Sequence, residues 1–138
     1  MLLCFKGSTN SELVGNLQRY SIIESHRVAA AMEKVDRGDF VSENPYQDSP
    51  QYIGYGATIS APHMHAYALE HLKDCLNPGS KGCGSGLTVG IDHMKGLTDL
   101  SVRNIRKNHA DLLESGRIKI VLGDGREGYP SEAPYDCM

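Results

Sequence analysis

Three short stretches of the sequence carry side chains that could do chemistry. In the first, the Ser60 hydroxyl is followed closely by His63 and His65. No base-and-orienter arrangement can be read beside Ser60, so its hydroxyl is suited to orienting a ligand rather than to nucleophilic attack. The other two stretches, Asp92-His93 and Asp124-Gly125, each follow an apolar run. A plainer interpretation stays open, in which Ser60 caps a helix, the first aspartate is a solvated strand end and the second forms a turn.

A glycine-rich loop, Gly82-Cys83-Gly84-Ser85-Gly86, is of the kind whose backbone approaches a nucleoside ligand closely. Such a loop needs a strand before it, a helix after it and an acidic residue about 20 positions later. Residues 77–81 contain no apolar run, and Asp92 comes only six positions after Gly86. Since a crossover between parallel strands needs on the order of a dozen residues or more, we expect a core that lacks its central strand and the helix after it.

Helical spacing predicts two helices in the first 40 residues. Thr9 and Glu12 have the spacing of a capping box, which starts a helix that runs to about Tyr20. Ser25 can cap the second helix, and Arg37-Gly38-Asp39 is typical of its exit.

A loop-like, tyrosine-rich segment over residues 44–55 precedes a third helix. Pro62 at a first helical turn and the spacing of the apolar residues predict this helix from about Pro62 to Leu76, with Asn77-Pro78-Gly79 as its stop. Its first turn is expected to offer unpaired backbone N–H groups that can receive a carboxylate. Because His63 and His65 point to different faces of such a helix, the pair does not favour a metal site.

The last third of the chain alternates strands and helices. Alternation predicts a strand over residues 87–91, a helix over about Lys95 to Asn108, and a second strand from Ile118 to Leu122 that ends at a Gly-Asp-Gly turn. Together with the earlier helices, this pattern indicates an α/β protein.

Composition narrows the function classes. With 40% hydrophobic and 22% charged residues and a formal net charge of -3, the chain lacks the excess of Lys and Arg that a nucleic acid or an anionic membrane requires. The apolar start of the chain is too short for a signal peptide or a membrane span, so we expect a cytoplasmic protein. The cysteines show no paired spacing and are interpreted as reduced thiols: Cys4, Cys75, Cys83 and Cys137.

The segment Ser49–Leu72 resembles the substrate and methyl-donor segment of protein-L-isoaspartate (D-aspartate) O-methyltransferases, and similar blocks extend over residues 11–77, 82–88, 89–108 and 116–136. The resemblance implies a Rossmann-like class I S-adenosylmethionine-dependent methyltransferase fold. The fold would be incomplete, because the central strand is missing and the family continues well past residue 138. It implies one partial domain over residues 1–138, with a helical and loop extension at 1–60 and the partial core at 61–138.

The resemblance also assigns site residues. Ser60 corresponds to the family's catalytic serine, which would orient a substrate carboxylate. The residues expected beside the donor or the substrate are Ile59, Ala61, Pro62 and His65, and Gly82 and Gly84 belong to the glycine loop. Asp92 and His93 are expected at the ribose and adenine, and Asp124 and Gly125 in the loop near the adenine.

The function implied by the resemblance is protein repair. A monomer would transfer a methyl group from S-adenosyl-L-methionine to the carboxylate of L-isoaspartyl or D-aspartyl residues in damaged peptides and proteins, without nucleic acid, membrane or metal. Two alternatives remain at this point: an inactive truncated or splice form that at most binds peptide, and a chain that forms no stable domain because loss of a central strand removes several kcal/mol of apolar burial.

Overall fold

The computed structural model describes residues 5–76 and 86–138 of the chain. It divides into two compact units, residues 1–73 and residues 74–138. The first unit is helical with one β-hairpin, and the second contains a pair of parallel strands with helices between them.

Three helices build the core of the first unit: α1 (Asn10–Arg19), α2 (His26–Lys34) and α3 (Pro62–Leu72). A single 3-10 turn, Arg37–Asp39, follows α2. The apolar faces of the helices pack into one cluster of buried residues, composed of Leu13, Val14, Leu17, Ile23, Val28, Ala29 and Ala66. The helical spacing of these residues along the sequence explains why each helix buries one face.

Side chains cap the first two helices in different ways. Thr9 Oγ1 accepts from the backbone N–H of Glu12 at 3.1 Å, as predicted for α1, and the Glu12 carboxylate accepts from the N–H of Ser8 at 2.7 Å. Ser25 occupies the N-cap position of α2 as predicted, but its hydroxyl makes no capping bond. The carboxylate of Glu70, which lies on α3, accepts instead from the N–H of Ser25 at 2.8 Å, which ties α3 to the start of α2.

A β-hairpin lies between α2 and α3, formed by β1 (Gln51–Gly54) and β2 (Ala57–Ile59) in antiparallel pairing. The prediction of a loop through Tyr55 was therefore wrong for residues 51–54. Gly54 and Gly56 have φ of +99° and +75°, so they reverse the chain at the hairpin tip instead of breaking regular structure. The hairpin delivers the chain to the start of α3.

Helix α3 ends at Leu72, earlier than the predicted Leu76. The predicted stop, Asn77-Pro78-Gly79, lies outside the described residues. Among the described residues, no helix has the length and apolar character needed to cross a membrane.

The second unit contains β3 (Thr88–Asp92), α4 (Lys95–Asn108), a short α5 (Ala110–Glu114) and β4 (Ile118–Leu122), followed by two 3-10 turns. Strands β3 and β4 are parallel over their whole length, with Thr88 opposite Ile118 and Asp92 opposite Leu122. The bounds of α4 and β4 confirm the prediction, whereas α5 was not predicted.

The parallel pair is small for a sheet of this class. Within the part of the chain that the structure describes, β3 pairs with β4 and with no other strand. Val89, Ile91 and Ile120 are only partly buried, although the strands of a doubly wound sheet are normally covered on both faces. Among the described residues of this unit, the buried apolar side chains are Leu97 and Ile105, both on α4.

Candidate active site

Ser60 lies between the hairpin and α3, in extended backbone just before the helix. The helix begins at Pro62 with Ala61 in the capping position, and no side chain of Ala61 or Ser60 bonds to its first turn. The carbonyl of Ser60 accepts from Nη2 of Arg37 at 2.7 Å, whereas its hydroxyl has no hydrogen bond to the described residues. The interpretation of Ser60 as a helix cap is therefore wrong, and its hydroxyl is available to a ligand.

The start of α3 does not provide the expected free N–H groups. Pro62 has none, and the N–H of Met64 donates to the carbonyl of Ala61 at 3.0 Å. The N–H of His63 donates to the Asp48 carboxylate at 3.0 Å. The turn does receive a carboxylate, as predicted, but it is the internal carboxylate of Asp48.

Asp48 also holds the His63 side chain. Its two carboxylate oxygens lie 2.9 and 3.0 Å from Nδ1 of the imidazole, and Asp48 itself is only 4% exposed. Burial lowers the pKa of Arg37, and the negative charge of Asp48 opposes that shift. The start of α3 thus lies among buried charges of both signs.

His65, two residues further along α3, faces different surroundings. Burial lowers the pKa of His65, and the nearby Arg37 and His63 lower it further. The imidazole of His65 is therefore kept uncharged at neutral pH. No cluster of three or more metal-ligating side chains occurs in residues 5–76 or 86–138.

A largely apolar cavity of about 390 Å³ opens beside α3 in the first unit. Three of the predicted site residues line it, namely Ile59, Pro62 and His65. Its size lies in the range of small-molecule sites, about 300–1,000 Å³. Ala61, the fourth predicted residue of this segment, is buried and is not part of the lining. The remaining lining residues are Asn10, Leu13, Ala31, Met32, Val35, Arg37, Phe40 and Leu69.

In the second unit, the predicted aspartates lie at one edge of the parallel strand pair. Asp92 is the last residue of β3 and stands opposite Leu122, the last residue of β4. The chain turns there, with the N–H of Gly123 donating to the carbonyl of Asp92 at 2.9 Å before Asp124 follows. Ligands of open α/β sheets bind outside the carboxyl ends of the strands, which is where these residues lie.

The two carboxylates at this edge, those of Asp92 and Asp124, differ in the hydrogen bonds that they accept. Asp92 Oδ1 accepts from the N–H of Met94 at 2.7 Å, while Oδ2 has no bond within the described ranges. Asp124 caps a 3-10 turn by accepting from the N–H of Arg126 at 2.9 Å, and the guanidinium of Arg126 lies 2.6 Å from its second oxygen. These bonds hold the pKa of Asp124 below its usual value. The plainer interpretation of Asp124 as a turn former therefore fits the structure, whereas Asp92 keeps a free oxygen.

The other predicted residues of this unit follow the same edge. His93 is exposed, with Nδ1 3.8 Å from Asp92 Oδ1, and its charge also acts on Asp124. Gly125 begins the 3-10 turn and lies against Ile91, where an added Cβ would make an ordinary contact at 3.6 Å. Gly82 and Gly84 lie outside the described residues.

The sequence did not single out Arg37 or Asp48, the two charged residues that contact the Ser60 segment. Arg37 occurs in a run interpreted as a helix exit, and Asp48 occurs in a segment interpreted as a loop. Their partners are 23 and 15 residues away in sequence, so only the folded chain reveals them.

Parallel strands with an acidic residue at their carboxyl edge are typical of nucleoside-binding α/β proteins. The family model of protein-L-isoaspartate(D-aspartate) O-methyltransferase (PCMT) matches residues 8–138. The chain belongs to this family, which confirms the resemblance.

The matching relatives are protein-L-isoaspartate O-methyltransferases from several organisms. A Caenorhabditis elegans protein of that name is 47% identical over 96% of this chain, and an Arabidopsis thaliana protein-L-isoaspartate O-methyltransferase 2 is 42% identical over 97%. A crystal structure from Plasmodium falciparum, described as a beta-aspartate methyltransferase in complex with S-adenosyl-L-homocysteine, matches with a TM-score of 0.82 and 32% identity over 91% of this chain. This match confirms the predicted Rossmann-like class I methyltransferase fold.

The chain is shorter than these relatives. It spans 67% of the Caenorhabditis elegans protein, 52% of the Arabidopsis thaliana protein and 68% of the Plasmodium falciparum chain. The alignment with the first of these runs over 150 residues, more than the 138 residues of this chain. Some positions of that relative therefore have no counterpart here, which is consistent with a missing internal segment.

Proposed function

We propose that this chain transfers a methyl group from S-adenosyl-L-methionine to the free carboxylate of L-isoaspartyl or D-aspartyl residues in damaged proteins. The observation that carries the proposal is the unengaged hydroxyl of Ser60, held at the start of α3 in a chain of this family. The comparisons lend no support to the alternative of an inactive product.

The reaction needs positioning more than acid–base chemistry. S-Adenosylmethionine supplies, when bound, a methyl group on a positively charged sulfur. A side-chain carboxylate is already ionised at neutral pH because its pKa lies near 4, so no general base is required to activate it. The work left to the protein is to hold the carboxylate in line and to exclude water.

Ser60 serves this purpose as a hydrogen-bond donor. The carboxylate loses its negative charge as the ester forms, so a donor on the attacking oxygen would stabilise the reactant more than the transition state. We therefore assign the Ser60 hydroxyl to the other carboxylate oxygen, where it fixes orientation without holding back the attack. Within residues 5–76 and 86–138, no base is hydrogen-bonded to the Ser60 hydroxyl, which agrees with this role.

Each unit, taken by itself, offers groups that are chemically suited to a nucleoside-containing donor. The free Oδ2 of Asp92 is an acceptor suited to ribose hydroxyls, and His93 and Gly125 flank the same strand edge. In the first unit, Ile59 and Pro62 give the cavity an apolar wall. The lowered pKa of His65 keeps its ring neutral, which avoids repulsion of a sulfonium. Gly82, Gly84, Ala61 and Asp124 keep their proposed places beside the donor on the resemblance alone.

Exposed aromatic side chains offer a surface for the peptide substrate. Tyr52 and Tyr55, on the hairpin just before Ser60, are 67% and 56% exposed. Tyrosine rings combine apolar area with a polar hydroxyl, a combination that suits contact with varied peptide sequences. We further propose that the chain acts as a cytoplasmic monomer on isoaspartyl-containing peptides and proteins, without nucleic acid or membrane.

A turnover assay with the full chain tests the proposal. The chain is incubated with S-adenosylmethionine labelled in its methyl group and a peptide that contains one isoaspartyl residue, and the base-labile ester is measured as released methanol. The matched control is the same peptide with an ordinary L-aspartyl residue. We expect methanol from the isoaspartyl peptide only. No release above background from either peptide would refute the catalytic proposal, and peptide binding without release would favour the inactive alternative.

A further inference from the structure

Arg37 contacts the backbone of Ser60 from inside the first unit. The side chain is 6% exposed, and Nη2 donates to the Ser60 carbonyl at 2.7 Å. Its own backbone N–H donates to Oδ1 of Asn10 at 3.3 Å. Nε is buried with no hydrogen-bond partner among the described residues. Among the described residues, the guanidinium of Arg37 thus has one hydrogen-bond acceptor, the main-chain carbonyl of Ser60.

Asp48 holds the other end of the same segment with the opposite charge. Its carboxylate accepts from the N–H and the ring of His63, three residues after Ser60. The signs match the peptide dipoles, since the cation meets a C=O group and the anion meets an N–H group. The segment Ser60–His63 is therefore fixed at both ends by buried charges.

The turn that carries Arg37 is itself braced. The carboxylate of Asp36 accepts from the N–H of Gly38 at 2.7 Å and from the hydroxyl of Tyr46 at 2.9 Å. A Cβ at Gly38 would approach the Tyr46 hydroxyl to 3.0 Å, so the turn has little room to shift. The turn therefore restricts where the guanidinium of Arg37 can lie.

This arrangement is a poor choice for stability alone. Burying a cation and leaving one of its N–H groups unpaired costs free energy, and apolar residues of similar volume in place of buried charges are often neutral or stabilising. Because this buried cation costs stability and contacts the segment that carries Ser60, it is better explained by a role in positioning Ser60.

We propose that Arg37 and Asp48 are positioning residues that hold the Ser60–His63 backbone so that the Ser60 hydroxyl meets the substrate carboxylate. This inference rests on the proposed methyl transfer. Neither residue needs to touch the substrate, since each acts through the main chain of the segment.

The test compares Arg37→Met and Arg37→Lys in the full chain. Arg37→Met keeps the length of the side chain and removes its charge and donors, whereas Arg37→Lys keeps a donor that can reach the carbonyl. Arg27→Met is the matched control, because Arg27 also donates to a backbone carbonyl, that of Lys73 at 3.0 Å, but on an exposed surface. Turnover of the isoaspartyl peptide and amide hydrogen exchange of residues 59–65 are measured for each.

For Arg37→Met we expect kcat to fall by about ten- to a hundredfold with a smaller change in KM, since small misplacements near a reacting group cost that much. The amides of Ala61 and His63 should exchange faster while those of α1 keep their protection, and Arg37→Lys should restore part of both. Unchanged kcat and unchanged exchange in folded Arg37→Met would overturn the proposal, as would equal effects of Arg27→Met.

Misfolding of Arg37→Met and a lack of turnover in the wild-type chain are distinguished from a failure of the proposal as follows. If Arg37→Met does not fold, the double variant Arg37→Met with Asp48→Asn removes both charges while leaving an acceptor for the His63 N–H; we expect it to fold, with the same loss of kcat. If the wild-type chain itself shows no turnover, the proposed methyl transfer fails, and the exchange of residues 59–65 alone decides whether the two residues hold the segment.

Discussion

Replacement of Asp48 by alanine is the perturbation whose cost the structure defines best. Asp48 is 4% exposed and accepts two bonds from His63, one from the backbone and one from the ring. Hydrogen bonds to a charged group contribute about 1.5–3 kcal/mol each, and loss of one partner of buried charges costs about 3–5 kcal/mol. Because these terms overlap, we expect Asp48→Ala to lower the free energy of unfolding by about 3–5 kcal/mol in total.

Urea unfolding followed by tyrosine fluorescence measures this loss, since the chain contains seven tyrosines and no tryptophan. The matched control is Asp99→Ala, which removes an exposed carboxylate 2.7 Å from Lys95 and should cost less than about 1 kcal/mol. Asp48→Asn, which keeps an acceptor for the His63 N–H, should fall between the two. A loss below about 1 kcal/mol for Asp48→Ala, with an unchanged m value, would refute the assignment of Asp48 as the buried acceptor of α3.

Two further predictions concern pH. The bond to Lys73 and the N–H groups at the start of α2 lower the pKa of Glu70 from 4.5, so the stabilisation by Glu70 is complete above about pH 4.5 and fades as the pH falls below it. Glu70→Gln should lower the urea midpoint at pH 7, and the difference from wild type should shrink as the pH is lowered below 4.5. Burial and the nearby Arg37 lower the pKa of His65 from 6.5, so the unfolded chain binds the extra proton and stability rises with pH up to about 6.5. Urea midpoints measured between pH 5 and 7 should show a weaker rise in His65→Gln than in wild type. An unaltered slope in His65→Gln would contradict the buried neutral ring.

Elements with strong local signals could be predicted from the sequence. The capping box at Thr9 starts α1 as expected, and the helical spacing from Lys95 gives α4 its observed bounds. The hairpin was missed because glycines at 54 and 56 were interpreted as breaks, whereas positive φ at these positions makes the reversal between two short strands. Local chemistry alone does not distinguish these two uses of glycine.

The hydrogen bonds that hold the candidate site join residues that are far apart in sequence, so the spacing of residue types could not predict them. The bonds from Arg37 to Ser60, from His63 to Asp48 and from Ser25 to Glu70 span 23, 15 and 45 residues. Each replaces a local interaction that the sequence suggested, such as the serine cap of α2 or free N–H groups at α3. Asp92, in contrast, was assigned from the resemblance and from its place at the end of a strand, and its role toward a ligand stays a prediction.

The most direct test of the central claim is Ser60→Ala in the full chain, assayed for methyl transfer to an isoaspartyl peptide. We expect kcat to fall by about ten- to a hundredfold, because a positioning donor is lost, with an unchanged urea midpoint, because the Ser60 hydroxyl has no partner among the described residues. Ser42→Ala, at an exposed position outside the segment Ser49–Leu72, serves as the matched control and should retain turnover. Methyl transfer by Ser60→Ala at the wild-type rate would contradict the role assigned to Ser60.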